Sequence, residues 1–293
     1  MPEHYDLIEK IKGAMPGFSK SQKRIASYIM EHYDKAAFMT AAKLGKVTEV
    51  SESTVVRFAV ELGFDGYPRF QKALQELIRN KLTSVQRMEI TTSKMGEQDI
   101  LRTVLLSDAE KLRSTLDEVD KEAFAGAVEA IAGAKRIYIL GARSCYALAS
   151  FLSFYLNLIF PNVKMVSNSA ATETFEQMFR AGEGDVVIGI SFPRYSRRTV
   201  NALAYAAGQG AKVIAITDSA RSPITGNAAH TLVARSDMSS FVDSLVAPLS
   251  IINALIVALV MRNKDEVAET FGRLEHIWEE YQVYDQRTEG NDE

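Results

Sequence analysis

Thr40-Ala41-Ala42-Lys43-Leu44-Gly45-Lys46-Val47-Thr48-Glu49-Val50-Ser51-Glu52-Ser53-Thr54-Val55-Val56-Arg57-Phe58-Ala59-Val60-Glu61-Leu62-Gly63 is the stretch whose reading decides how the first part of the chain folds. Ser51 has the chemistry of an N-cap: its hydroxyl can accept a free backbone N–H at the start of a helix running to about Leu62, and Gly63 supplies a stop. On that helix Val55, Val56, Phe58, Ala59 and Leu62 fall on one arc, and Ser53, Thr54, Arg57 and Glu61 on the other. One face packs and the other reads. A shorter helix, about Thr40 to Val47, comes before it, with Leu44 as apolar anchor and Gly45 as a small residue where two helices can approach closely. Thr48 to Val50 is then a three-residue turn, the length used by a helix-turn-helix, which points to double-stranded DNA. Ser53, Thr54 and Arg57 are expected to face the major groove. Ser51 with Lys43 or Lys46 is expected at the phosphates, and Thr40 completes the DNA-binding set. An ordinary pair of core helices is the bland alternative. The joint spacing of Leu44, Gly45, Val50, Ser51, Val55 and Phe58 favours the motif. Glu49 departs from it: glycine is common there, and a left-handed backbone at a glutamate carries a cost.

Working outward, 293 residues suffice for two ordinary domains, and 47% hydrophobic with 24% charged residues is the profile of a globular protein. The net charge of −3 is unevenly spread. Residues 1–82 carry 13 Lys+Arg against 10 Asp+Glu, and the remainder 21 against 27, so the positive potential lies with the DNA motif. One cysteine, Cys145, excludes an internal disulfide and fits a reducing compartment. The charged N-terminus lacks the apolar core of a secretion signal, so the expected location is the cytoplasm. Residues 241–261 approach a membrane span in length, but Asp243, Pro248 and Asn253 interrupt them, which predicts a buried helix or helix pair and no membrane partner.

Residues 1–82 read as a helical bundle throughout: Leu7, Ile8 and Ile11 mark a first helix, Ser19 and Gln22 a capping box for a second, and Gly66-Tyr67-Pro68 the restart of a helix with Phe70, Leu74, Leu77 and Ile78 on one face. Residues 83–98 read as a linker, and 99–132 as connecting helices that pack with a second domain and offer a surface for a second subunit. From Arg136 the character changes. Residues 136–140, 185–190 and 212–216 are short apolar runs suited to strands buried on both faces, with 163–166 and 232–234 as flanking candidates. Helical patterns alternate with them, so residues 133–264 are expected to form a doubly wound parallel sheet, an α/β fold, followed by a helical tail over 265–293.

In such a sheet ligands bind beyond the carboxyl ends of the strands. Two loops at that edge suit an anion. Gly141-Ala142-Arg143-Ser144 leads straight into a helix whose N–H groups and dipole favour negative charge. Residues 191–199 offer Ser191, Ser196 and Thr199 with Arg194, Arg197 and Arg198 ahead of another helix. Together they describe a site for a phosphate ester.

These residues resemble the RpiR family of bacterial regulators, an N-terminal helix-turn-helix followed by a sugar isomerase (SIS) domain. The likeness runs from about Tyr5 to Val260 and is carried by Ser51 to Phe58, Leu62-Gly63-Phe64, Gly66-Tyr67, Gly141 to Ser144, Gly189-Ile190-Ser191 and Ala211 to Asp218. The resemblance implies a transcriptional regulator whose SIS domain binds a phosphosugar effector and helps to form homodimers or homotetramers. The second loop departs from the family's Ser-x-Ser-Gly-x-Thr: Ser191 matches the first serine and Ser196 can replace the threonine, but Pro193 stands for the second serine and Arg194 for the glycine. Arg194 or Arg197 is therefore expected to supply a charge-assisted phosphate contact. A phosphosugar isomerase is the competing reading, with Glu173 as base and His230 assisting. A DNA-binding scaffold whose SIS domain only dimerises is a third. His4, His32, His230, His276 and Cys145 give no metal-ligand spacing, and Gly141 lacks the further glycines of a dinucleotide site, so neither metal nor cofactor is expected.

Overall fold

The computed structural model describes residues 7–79, 85–88, 99–167, 171–236 and 242–284. It divides into two compact units, Met1–Thr103 with Met238–Asp243, and Val104–Asp237 with Ser244–Glu293.

In the first unit α1 (Leu7–Ala14) and a 3-10 turn (Met15–Gly17) lead to α2 (Lys20–Glu31), α3 (Tyr33–Ala36), α4 (Ala41–Thr48), α5 (Glu52–Glu61) and α6 (Tyr67–Arg79). The capping box at α2 forms: the Gln22 N–H donates to Ser19 Oγ at 3.4 Å, and the Ser19 N–H to Gln22 Oε1 at 2.9 Å. Thr40 and Ser51 cap α4 and α5 by accepting the Lys43 and Thr54 N–H groups, without the reciprocal bond. Ile11, Phe18, Ile25, Ile29, Leu44, Val55, Phe58, Phe70 and Leu74 close one core. At its centre the rings of Phe18 and Phe70 lie 5.1 and 5.7 Å from that of Phe58. Leu77 and Ile78 lie outside the residues whose side chains are described. So does most of the 83–98 linker, of which residues 85–88 form a helical turn.

Two local features shape the turn between α4 and α5. A Cβ on Gly45 would stand 2.8 Å from the Val50 carbonyl oxygen, so only glycine lets the two helices meet this closely. Glu49 takes the left-handed conformation, φ 53° and ψ 47°, and closes α4: the Val50 N–H donates to the Gly45 carbonyl at 2.9 Å and the Glu49 N–H to that of Lys46 at 3.3 Å. Its carboxylate pairs with Arg24 of α2. Val56 differs from the sequence expectation. It is exposed, because the buried arc of α5 is filled by Val55, Phe58, Ala59 and Leu62 alone.

Tyr67 opens α6 almost fully buried and donates its hydroxyl to the Met39 carbonyl at 2.8 Å, which also accepts from Gln71 Nε2 at 2.7 Å. Burial pushes its phenol up to about 12.

The second unit begins within α7 (Ile100–Glu118), followed by α8 (Lys121–Ala132), β1 (Ile137–Gly141), α9 (Cys145–Ile159), β2 (Val163–Met165), α10 (Ala171–Met178), β3 (Val186–Ile190), α11 (Arg197–Gly208), β4 (Lys212–Thr217), β5 (His230–Val233), α12 (Val246–Arg262) and α13 (Lys264–Glu280). The strands are parallel in the order β2-β1-β3-β4-β5. Alternation along each strand supplies both faces. Ile137, Ile139, Val186, Ile188, Ile214 and Ile216 pack with α8, α9 and α12, while Tyr138, Leu140, Val187, Val213 and Ala215 pack with α11. At the opening ends of β1 and β3 the buried Asp185 carboxylate accepts from Arg136 Nε at 3.1 Å, Arg136 Nη2 at 2.8 Å and the Gly182 N–H at 3.0 Å. This bidentate pair fixes the start of both strands.

α12 buries Ala247, Pro248, Ile251, Ile252, Leu255, Ile256 and Leu259. No single described helix is long and apolar enough to cross a membrane. On α7 the buried residues are Lys111 and Thr115, whereas Leu101, Leu105, Leu106 and Leu116 are exposed by 59% or more, so its apolar side is left open.

Two predictions follow from the first unit. Gly45→Ala should cost about 1–3 kcal/mol through overpacking against backbone, while Glu49→Gly, which removes a strained Cβ and only an exposed ion pair, should stabilise by about 1 kcal/mol; urea unfolding measures both. Because the folded pKa of Tyr67 is raised, its contribution to stability is complete below about 10 and is lost as pH climbs towards about 12. Tyr67→Phe should flatten that alkaline loss in a pH series of thermal melts.

Candidate functional site

The strand order reverses between β1 and β3, so their connections leave on opposite faces of the sheet and part to form a crevice at its carboxyl edge. Both loops singled out in the sequence start there. After β1, a Cβ on Gly141 would stand 2.5 Å from the Cys145 carbonyl oxygen, so the turn into α9 is too tight for any other residue. Ala142 is half-buried; Arg143 is exposed with φ 58°. Ser144 is exposed at the head of α9 and makes no capping bond, and Cys145 behind it is buried.

After β3, Ser191 is buried at 3% exposure, and its Oγ accepts from the Ser196 N–H at 3.3 Å. Ser196 then caps α11, taking the Thr199 N–H at 3.3 Å. Thr199 is itself buried, so its side chain turns inward. Arg194 and Arg197 are exposed, and Arg194 has a positive φ of 20°, a conformation in keeping with the glycine usual at that position. The loop thus folds around serine hydroxyls, with Arg194 and Arg197 outward.

Sequence reasoning missed the side chains that hold this loop. The Tyr195 hydroxyl donates to Asp218 Oδ1 at 2.7 Å, and Thr217 Oγ1 lies 3.3 Å from the same oxygen, tying the β3 loop to the end of β4. Arg198 Nε donates to Thr174 Oγ1 at 2.6 Å, tying the start of α11 to α10. The one signal was Asp218, an acidic residue ending a buried strand at the binding edge.

The residues of the isomerase reading are separated. Glu173 is half-buried in the first turn of α10. His230 opens β5, the amino-terminal end of that strand, and packs against Gly126 of α8, whereas both loops leave the carboxyl ends. Among the described residues no group of three or more His, Cys, Asp or Glu side chains is arranged to hold a metal ion.

In the first unit Ser53 and Arg57 are exposed on the outer face of α5, and Thr54 is half-buried beside them. The Ser51 hydroxyl lies 2.9 Å from that of Ser53 and 2.8 Å from that of Thr54, and accepts the Thr54 N–H at 3.3 Å. Thr40 Oγ1 accepts the Lys43 N–H at 3.2 Å, so its hydroxyl serves α4 first; Lys43 and Lys46 are exposed along that helix. A concavity of about 670 Å³ beside the turn is lined by Lys20, Lys23, Arg24 and Glu49 among others.

A family model described as a helix-turn-helix domain of the rpiR family matches residues 5–81, and one described as a SIS domain matches residues 130–258. The HTH-type transcriptional regulator HexR of Escherichia coli K12 is 28% identical over 284 residues, covering 94% of this chain and 95% of its own. The sugar isomerase domain of an RpiR transcription factor from Sphaerobacter thermophilus is 31% identical, with a TM-score of 0.58 over 61% of this chain and 99% of that one. The Vibrio vulnificus NanR protein, solved with ManNAc-6P, shares the fold at 23% identity, with a TM-score of 0.57 over 93% of this chain and 99% of that one. With both family domains matched in order along one chain, this protein belongs to the RpiR family of helix-turn-helix transcriptional regulators with a SIS domain.

Proposed function

We propose that this regulator senses a phosphosugar in the crevice between the β1 and β3 loops and answers by changing its hold on an operator. The observation that carries this is the pairing, on neighbouring strands, of two helix N-termini with serine hydroxyls beside them, Ser144 at α9 and Ser191 with Ser196 at α11. Gly141, Ala142 and Arg143 form one wall at the start of α9, where the helix dipole favours a phosphate. Ser191, Ser196 and Thr199 shape the other, and Arg194 or Arg197 adds the charge that the absent second serine does not. The sugar phosphate carried by the Vibrio relative is of the chemical class this crevice suits.

In this reading residues 133–264 are the sensor and residues 1–82 the DNA-binding domain, joined by 83–132, with the 265–293 tail behind. Ser53, Thr54 and Arg57 enter the major groove, while Thr40, Lys43 and Ser51 address phosphates. The open leucine side of α7 supports a homodimer or homotetramer. The protein acts on cytoplasmic DNA. It is a sensor rather than an isomerase, a view supported by the distance in the fold between Glu173 and His230.

A thermal-shift screen against sugar phosphates tests the site. One compound at about 100 times its Kd should raise Tm by about 5–10 °C, and Ser191→Ala, or Arg194→Ala with Arg197→Ala, should weaken it at least tenfold. No stabilising compound, or unchanged affinity in these variants, would sink the proposed site. Chemical conversion of that compound on incubation, followed by NMR, would restore the isomerase.

A further inference from the structure

The outer face of α5 is not wholly polar. Val56 is 36% and Val60 55% exposed, while Val55, Phe58 and Ala59 on the other side are fully buried. At 3.6 residues per turn, Ser53, Val56, Arg57 and Val60 share one arc of about 100°, with Val60 near its centre and Val56 at one edge. Scattered exposed valines are ordinary on a protein surface. These two are placed otherwise, one turn apart and interleaved with Ser53 and Arg57. Nor do they serve the helix itself, since β-branched residues are poorer helix formers than alanine, lysine or glutamate.

We infer that Val56 and Val60 are specificity residues that read thymine methyl groups in the major groove of the operator. This rests on α5 being the helix that enters the groove. The edges of base pairs in the major groove carry hydrogen-bonding groups at every pair and one apolar feature, the C5 methyl of thymine. An isopropyl group has nothing to offer the first and fits the second. Arg57 and Ser53, on the same arc, supply the polar contacts the methyls cannot. Four residues of helix rise about 6 Å, close to two steps of 3.4 Å along a DNA strand. Each half-site should therefore contain two thymines about two base-pair steps apart, one under each valine.

The test first selects bound duplexes from a random library with the full-length protein. Each thymine of the selected site is then replaced singly by deoxyuridine, which keeps every hydrogen-bonding group and removes only the methyl. Losing one buried methyl should weaken binding about fourfold. Two positions in each half-site should show this loss; Val56→Ala should abolish it at one and Val60→Ala at the other, with a cooperative melt retained because neither valine belongs to the buried core of the bundle. Arg57→Ala, which removes a charged contact, should weaken binding and leave both methyl effects in place. Deoxyuridine without effect at every position, or losses that persist in both valine variants, overturns the inference while leaving DNA binding intact. A change of oligomeric state in the valine variants with the methyl effects unaltered assigns the patch to a protein contact and also overturns it. Failure to enrich any sequence removes the docking of α5 and the inference with it.

Discussion

In a parallel sheet ordered β2-β1-β3-β4-β5, the chain leaves β1 towards β2 and leaves β3 towards β4. The two connections must therefore run to opposite faces, and a crevice opens at the carboxyl edge between them. The candidate chemistry of the second unit is laid out by that constraint. α9 and α11 both start beside the crevice, which brings the positive ends of two helix dipoles to one place. At the other edge the Arg136–Asp185 pair holds the same two strands together, so the crevice rests on a pair of strands fixed at their origin. Side chains then refine the opening, with Tyr195 on Asp218 and Arg198 on Thr174 binding the β3 loop to its neighbours.

Backbone strain concentrates where a partner is expected. Among the described residues four non-glycine residues have positive φ, and three of them, Glu49, Arg143 and Arg194, lie in the turn before α5 or in the two crevice loops. Each is charged, at a place where glycine would be easier. Glu49 is held by the carbonyls that close α4 and by Arg24, so the entry into α5 is set by the bundle rather than by its own preference. Arg143 and Arg194 trade backbone ease for a cation at the mouth of the proposed phosphosugar site.

Much of this architecture was legible in the residues. Short apolar runs flanked by helical periods announced the strands, because a sheet buried on both faces needs continuous apolar residues. Ser19 and Ser51 announced helix starts, because a cap acts over three residues. The rest depends on contacts distant in sequence. Nothing near Arg136 reveals that Asp185 will receive it, nor does Tyr195 reveal Asp218. Val56 was assigned to the packed arc because it is apolar; the narrow contact made by α5 had no room for it. α7 has the opposite history: its leucines repeat at helical spacing, yet Lys111 and Thr115 are the buried residues, and periodicity alone does not say which face meets the core.

The central claim is that occupancy of the crevice and grip on DNA are one linked equilibrium. Fluorescence anisotropy of a labelled operator duplex, titrated with full-length protein with and without a saturating sugar phosphate, measures that linkage directly. The account predicts a shift in operator Kd of about 5–150-fold, matched by an equal shift in sugar-phosphate Kd when operator is added, and both lost in Ser191→Ala. An operator Kd that stays the same when the crevice is demonstrably saturated would contradict it.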